Sequence, residues 1–358
     1  MRSTGRFAQG LEHDLDGGEI AGRAKRSAPV RIDDSSRTGS GGIKVARDKR
    51  VTGSIVLLSS IAQHMAGMFR VEIIVNPKAG GPSVRKAEDL MDILRGQGIY
   101  VRLRGTRFRG HAEALAHEAA AQTVDRLVVA GGDGTINEVI NGLAGAPIPL
   151  VIIPCGTANV LANELGWPRR VEDIAELLLK GKTRQVNLGS VNGRRFVQMA
   201  SVGLDAEVVA RINPTAKRFF GRFAYVWTAL ARLIGRRPQL FDVIVNGTTR
   251  RAGAAIAAKG KHYGGAFVVA PLADLASPSF QLVLTPEPGR LAHLRYILAL
   301  GRGKLSMVSG VETHEVSELS FAGPAGMPIQ ADGDVIATMP AKIEILRDAL
   351  TLMVPNSV

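Results

Sequence analysis

The sequence predicts an α/β domain built on a parallel sheet, followed by a second domain that is mainly antiparallel β. Three observations carry this reading. Between residues 71 and 165, short apolar runs alternate with stretches of helical spacing, the pattern of a parallel sheet covered on both faces. Beyond about Lys182 the texture changes to strand, turn and strand, with Asn192-Gly193 and Asn246-Gly247 suited to tight hairpins. Small-residue segments also recur where strands of the first half end.

Taken in order, Val71–Val75 reads as a buried strand, and Val84, Ala87, Leu90, Met91 and Leu94 repeat at helical spacing. A second unit pairs a strand over Ile99–Leu103 with an Ala-rich helix over Ala112–Ala121. The third strand, Leu127–Ala130, runs into the loop Gly131-Gly132-Asp133-Gly134-Thr135, and a helix is expected from Ile136 to Leu143. A fourth strand, Leu150–Ile153, leads to another small-residue turn and a helix from about Asn159. In the second half, strands are expected over Arg195–Ser201, Leu240–Val245, Ala266–Ala270, Phe280–Leu284 and Ser317–Phe321. Between them, Ala216–Arg237 looks helical and mixes aromatics with six Lys or Arg residues. Residues 1–67 lack apolar periodicity and read as a disordered tail or a start misassigned upstream of Met68. The expected division is 68–185 for the α/β domain, 186–340 for the β domain, and 341–358 for strands packing back near the junction.

Composition narrows the partners. The chain has 358 residues, 46% of them hydrophobic, enough to bury a substantial core, and its length favours two domains. A formal charge of +13 suits an anionic partner: a nucleotide, a nucleic acid or an acidic membrane surface. Nucleic acid is set aside, because only 5% of residues are aromatic and no basic run is interleaved with them as a stacking platform. The single cysteine, Cys155, cannot form an internal disulfide and fits a reducing compartment. No apolar stretch is long enough to span a bilayer, so a cytoplasmic protein with peripheral contact to anionic membrane is expected.

The chemistry concentrates at strand ends. Gly131–Thr135 follows a buried strand and opens a helix, where open α/β sheets bind ligands. Missing side chains let phosphate approach backbone N–H groups, and the helix N-terminus adds its positive dipole end. Asp133 would repel that phosphate unless a divalent cation bridged them, which implies a metal-nucleotide complex. The plain alternative is a turn that uses glycine for positive φ. Two further loops reach the same edge: Asn76-Pro77-Lys78-Ala79-Gly80-Gly81 and Pro154-Cys155-Gly156-Thr157-Ala158-Asn159. Neither the dinucleotide fingerprint nor the P-loop pattern is present.

With these segments quoted, the sequence resembles the diacylglycerol kinase catalytic-domain family, in particular bacterial lipid kinases related to sphingosine kinases. The resemblance runs from about Phe69 to the C-terminus. Its carriers are Val75-Asn76-Pro77 with Gly80-Gly81, GGDGTINEVINGL over Gly131–Leu143, IPCGTAN over Ile153–Asn159, Tyr263-Gly264-Gly265, and Ala331-Asp332-Gly333-Asp334. It implies a Rossmann-like nucleotide-binding domain followed by an antiparallel β-sandwich, with the active site in the cleft between them. It further implies ATP and Mg²⁺ as cofactors and a lipid hydroxyl as acceptor. Asn76, Pro77, Lys78, Ala79, Gly80, Thr106, Gly131, Gly132, Asp133, Gly134, Thr135, Asn137 and Thr157 would contact ATP. Asp332 takes the position of the general base, Asp133 acts through Mg-ATP, and Asp334 stands as a metal candidate where glutamate is usual.

Departures from the family pattern fall around a structural Mg²⁺ site. Ala276-Ser277-Pro278-Ser279-Phe280-Gln281 replaces a segment that is acidic in many members, leaving Asp274 nearby, and Asn187 replaces a common acid. The structural site is therefore expected to be weak or absent, while the nucleotide-borne Mg²⁺ persists. The rival readings are an NAD kinase-like enzyme and a catalytically silent nucleotide- or lipid-binding protein. The acceptor lipid is not fixed by sequence, and a homodimer stays open.

Overall fold

The computed structural model describes residues 69–79, 82–122, 124–211, 239–264, 267–285 and 289–355. The expectations for residues 1–67, for Gly80 and Gly265, and for a basic helix over 216–237 lie outside the described residues.

The first half alternates strand and helix: β1 (Arg70–Val75), α1 (Ser83–Gly96), β2 (Tyr100–Gly105), α2 (His111–Ala120), β3 (Arg126–Gly131), α3 (Asp133–Leu143), β4 (Leu150–Pro154), α4 (Val160–Glu164) and α5 (Val171–Lys180). Its strands run parallel in the order β2-β1-β3-β4. Ile73, Ile74, Val128, Val129, Ile152 and Ile153 are all fully buried, as expected for central strands covered on both faces. Helix α1 buries Ala87, Leu90 and Leu94 on one side, spaced three and four residues apart.

Helix α3 begins earlier than its composition suggests. Two glycines and an aspartate read as loop because they are poor helix formers, yet Asp133, Gly134 and Thr135 form the first helical turn, with Gly132 as the N-cap residue. Tertiary contacts override propensity there. Asp133 Oδ1 accepts from the Val160 backbone N–H at 2.7 Å, and the Thr135 hydroxyl accepts from Asn76 Nδ2 at 2.8 Å. At the other end of α3, a Cβ built on Gly142 would lie 2.1 Å from the Glu113 carbonyl oxygen, so α2 and α3 pack at a distance only glycine allows.

The second half comprises β5 (Lys182–Val191), β6 (Arg194–Phe196), β7 (Met199–Val202), α6 (Leu204–Arg211), β8 (Phe241–Val245), β9 (Thr248–Ala252), β10 (Ala254–Ala258), β11 (His262–Tyr263), β12 (Phe267–Val268), β13 (Phe280–Thr285), α7 (Arg290–Gly301), a short 3-10 turn (Leu305–Met307), β14 (Glu312–Val316), β15 (Glu318–Ala322), β16 (Pro328–Ala331), β17 (Asp334–Thr338) and β18 (Ala341–Val354). One sheet has the order β14-β13-β10-β7-β16-β17, antiparallel throughout. Its inner face packs on β18, β15, β8 and β5, and Phe196, Phe241, Phe280, Phe321, Ile329 and Ile343 fill the sandwich core. Asn192-Gly193 and Asn246-Gly247 turn two hairpins with φ of +49° and +88°, and +48° and +75°, the geometry of type I′ turns.

Four details differ from the sequence reading. The strand expected over Arg195–Ser201 breaks into β6 and β7 at Val197-Gln198, because those backbone N–H groups turn toward a carboxylate described below. The strand over Ala266–Ala270 contracts to β12, paired only with β11. The C-terminal segment forms a single 14-residue strand, β18, rather than several. It pairs with β4 in parallel and with β5 and β15 antiparallel, so the parallel sheet continues into one sheet of the sandwich. The expected boundary at 185/186 falls inside β5, which is unbroken from Lys182 to Val191.

Gly142→Ala forces a methyl into the Glu113 carbonyl and should destabilise the protein by about 3 kcal/mol in urea unfolding. Gly96→Ala, at a helix position with open space around it, should be neutral or stabilising by up to about 1 kcal/mol. Equal effects from both would remove the close-packing account of Gly142.

Candidate active site

A cavity of about 390 Å³ opens where the ends of β1, β2 and β3 face the turn before β17. Asn76, Lys78, Ala79, Thr106, Gly132, Gly134, Thr135 and Asp334 line it, together with Arg107, Phe108, Arg109 and Glu138. Asn76 shapes the first wall. Its Oδ1 accepts from the Lys78 backbone N–H at 2.9 Å and its carbonyl from Ala79 N–H at 3.1 Å, a turn closed by an asparagine side chain. Gly132, Gly134 and Thr135 bring the N-terminus of α3 to the cavity, where a helix dipole favours an anion.

The glycines of this segment have separate tasks. None of Gly131, Gly132 and Gly134 has a positive φ, so a plain left-handed turn does not explain them. A Cβ on Gly132 would meet Gly156 Cα at 3.1 Å, and one on Gly156 would meet Gly132 Cα at 2.6 Å. These two glycines let the loops after β3 and β4 touch backbone to backbone. Gly134 is exposed, and a Cβ there would find only Asp334 Oδ2, at 3.9 Å.

Several expected nucleotide contacts lie away from the cavity lining. Gly131 is buried inside β3, Pro77 and Thr157 are exposed to either side, and Asp133 is turned to the first turn of α4. Asn137 crosses instead to the sandwich: its Nδ2 donates to Asp332 Oδ2 at 3.0 Å, and its Oδ1 accepts from Asn141 Nδ2 at 3.1 Å.

The two acids of Asp332-Gly333-Asp334 also part company. Asp332 is held in the left-handed region, φ +49°, and both its oxygens are engaged. Oδ1 accepts from Gln198 and Met199 N–H at 2.9 and 3.1 Å, while Oδ2 accepts from Val197 N–H at 2.7 Å as well as from Asn137. Burial pushes this carboxyl above the ordinary range, and the four hydrogen bonds draw it part of the way back. Asp334 is more open. Its side chain is 44% exposed, lines the cavity and lies 3.1 Å from Arg109 Nη2. Asp332 is thus enclosed by four N–H donors, while Asp334 faces the cavity.

Around residues 274–279, side-chain donors hold the backbone carbonyls of the loop. Lys259 is fully buried, and its ammonium donates to the carbonyls of Asp274 and Ser279 at 2.9 and 3.2 Å and to that of Ser277. Burial pulls its pKa down to about 8, opposed by the nearby Asp274 carboxylate. Asn187 Nδ2 donates to the carbonyls of Ala276 and Ser277 at 2.8 and 3.0 Å, and its Oδ1 accepts from Asp348 N–H. A carboxylate at position 187 could not donate to those carbonyls. Among the described residues, no group of three or more His, Cys, Asp or Glu is placed to hold a metal ion. The acids present do not fit a resident Mg²⁺. An ion entering on ATP would carry phosphate and water ligands of its own.

Sequence reasoning missed four cavity residues and Lys259. Glu138 caps α2: its Oε1 accepts from Gly110 N–H at 2.9 Å and its Oε2 from Ala112 N–H at 3.2 Å. Phe108 stacks on His111 with ring centroids 4.7 Å apart and stays 67% exposed. The signal was available in the run Arg107-Phe108-Arg109 directly after Thr106, a basic and aromatic cluster at a strand end. Burial pushes the Cys155 thiol up, the direction that disfavours its thiolate.

Residues 70–191 match the family model of the diacylglycerol kinase catalytic domain, and residues 198–354 match the YegS C-terminal NAD kinase beta sandwich-like domain. A diacylglycerol kinase of Mycobacterium tuberculosis is 30% identical over 307 residues, covering 83% of this chain and 98% of the relative. The chain belongs to the diacylglycerol kinase catalytic-domain family. Membership makes it a kinase, a phosphotransferase. A diacylglycerol kinase of Staphylococcus saprophyticus is 27% identical over 298 residues, with 81% of this chain and 96% of the relative covered. A crystal structure of a diacylglycerol kinase from Bacillus anthracis superimposes with a TM-score of 0.65 at 22% identity, covering 81% of this chain and 98% of that one, and shares the fold. Lys259 and Asn187 reach the 274–279 loop from other segments and donate to its carbonyls.

Chelation with EDTA should leave the melting temperature unchanged, because the 274–279 loop is held by Lys259 and Asn187. Lys259→Met should lower stability by about 3 kcal/mol through the carbonyls left unpaired. A large chelator-induced drop in melting temperature would contradict this account.

Proposed function

We propose that the protein transfers the terminal phosphate of MgATP to a hydroxyl of a diacylglycerol-like lipid. The observation that carries the reading is the cavity that the N-terminus of α3 and Asp334 line together, beside Asn76, Lys78 and Thr106. Relatives named diacylglycerol kinase support a lipid acceptor.

In this reading Asn76, Thr106 and the backbone of Gly132 to Thr135 hold the phosphates, and Lys78 adds positive charge at the exposed edge. Phosphoryl transfer needs mainly positioning and charge neutralisation. Arg109, beside Asp334, supplies a second cation near the transferred group. A lipid hydroxyl attacks well only if its proton can leave, and Asp334 is the carboxylate facing the cavity that accepts it. Asp332, expected from sequence as the base, serves as the positioning residue: its lone pairs already take four N–H donors. Its turn, with Gly333 at φ +87°, aims Asp334 at α3.

The test incubates purified protein with radiolabelled ATP, Mg²⁺ and either dispersed diacylglycerol or NAD. Label should enter the lipid phase, and label on NAD instead would overturn the lipid reading. Asp334→Asn should cut turnover by about 100-fold or more while stability changes by less than about 1 kcal/mol, because its pair with Arg109 is solvent-exposed. Asp332→Asn should lower both turnover and stability, the latter by about 2 kcal/mol, since an amide NH₂ would oppose N–H donors. Full stability with abolished turnover in Asp332→Asn, alongside an active Asp334→Asn, would return the base to Asp332.

A further inference from the structure

The outer face of α7 has the makeup of an interfacial helix. Its inward residues, Ala292 and Tyr296, pack with Met199, Ala258 and Val283 on the outer side of the six-stranded sheet. A surface helix ordinarily turns polar residues outward. This one presents Leu291, Leu294 and Leu298, spaced three and four residues apart, of which Leu291 is 84% exposed. Met307, 78% exposed on the following 3-10 turn, joins them around a shallow groove of about 530 Å³. An exposed apolar patch on a rigid element is the informative kind of surface, because folding alone gains nothing from it.

The charge around the patch has one sign. Residues 289–311 contain four Arg or Lys and no Asp or Glu. Arg295, Arg302 and Lys304 line the groove beside the leucines. Arg295 is fixed there: its Nη2 donates to the Ser309 carbonyl at 2.7 Å and its guanidinium sits 5.7 Å from the Tyr296 ring centroid. Arg302 and Lys304 are exposed at the end of the helix.

We infer that α7 and the 3-10 turn after it form a docking surface for an anionic phospholipid bilayer. Leucine and methionine side chains enter the acyl boundary, and the cations pair with headgroup phosphates. A second copy of the chain fits poorly, because a two-fold contact would set this all-cationic rim against itself. No helix among the described residues is long and apolar enough to cross a membrane, so the contact is a lateral one at this face. The surface lies outside the cavity of the proposed reaction, and the inference stands or falls separately from it.

The test is flotation of the full chain with vesicles of phosphatidylcholine alone and of phosphatidylcholine mixed with phosphatidylglycerol, without ATP. Wild type should float only with the anionic vesicles and be released as salt rises from about 0.1 M to about 1 M. Leu291→Ser/Leu298→Ser and Arg302→Gln/Lys304→Gln should each weaken partitioning by about tenfold or more. Turnover of a dispersed short-chain diacylglycerol should not change, so a failure of docking is separable from a failure of the kinase reading. The charge variant keeps the test intact if the leucine variant misfolds. Wild-type partitioning by both variants would overturn the inference, as would loss of self-association in sedimentation with vesicle binding unaltered.

Discussion

The Asp332 carboxylate is the interaction on which the site depends. It sits at the junction of the two halves and satisfies three consecutive backbone N–H groups where β6 gives way to β7. Without an acceptor there, those donors would be buried and unpaired, at a cost of about 1–3 kcal/mol each. The same carboxylate receives Asn137 from α3, so one side chain fixes the break in the sandwich strand and fastens it to the helix that faces the cavity. A left-handed aspartate is uncommon and sterically costly. Here the surrounding donors hold it in place, and the turn they impose sets Asp334 over Gly134.

Helix α3 is the counterpart of that anchor, and nearly every polar or small residue in its motif has a neighbour to answer to. Asp133 reaches α4 and Thr135 reaches Asn76. Asn137 and Asn141, one turn apart, grip the backbone of Arg195: Asn141 Nδ2 donates to its carbonyl, and Asn141 Oδ1 accepts from its N–H. Glu138 caps α2 on the other side, and Gly142 admits that helix at close range. The helix is thus addressed on all sides, which explains why so specific a string of residues occurs where ordinary amphipathic spacing would suffice to bury a helix.

Much of this was legible in sequence, and the limits have physical causes. The strands and helices of the first half follow from apolar periodicity, and both Asn-Gly turns formed as their chemistry requires. The position of the cavity at the ends of β1 and β3 followed from glycines and amides at strand ends. What sequence could not separate was approach to a ligand from approach to another loop. Gly132 and Gly156 look like phosphate glycines and are needed for a backbone contact between loops. The surroundings of Asp332 and Asp334 were likewise inseparable, because two acids two residues apart differ only in where the turn sends them. Lys259 left no local sign, since a lysine in an alanine-rich strand end reads as solvated until the carbonyls of residues 274–279 fold over it.

Strand β18 carries a mechanical consequence. Because this one strand is hydrogen-bonded to β4 on the nucleotide side and to β5 and β15 on the sandwich side, the two walls of the cleft share a continuous spine. Rotating one wall against the other would require sheet hydrogen bonds to shear, whereas two domains on a flexible tether would swing at little cost. The strand is not uniform along its length: its register with β5 shifts between Leu346 and Leu350, where Asp348 takes φ +47°. Any bending between the two halves is thus concentrated at that irregularity, the weakest stretch of the shared strand.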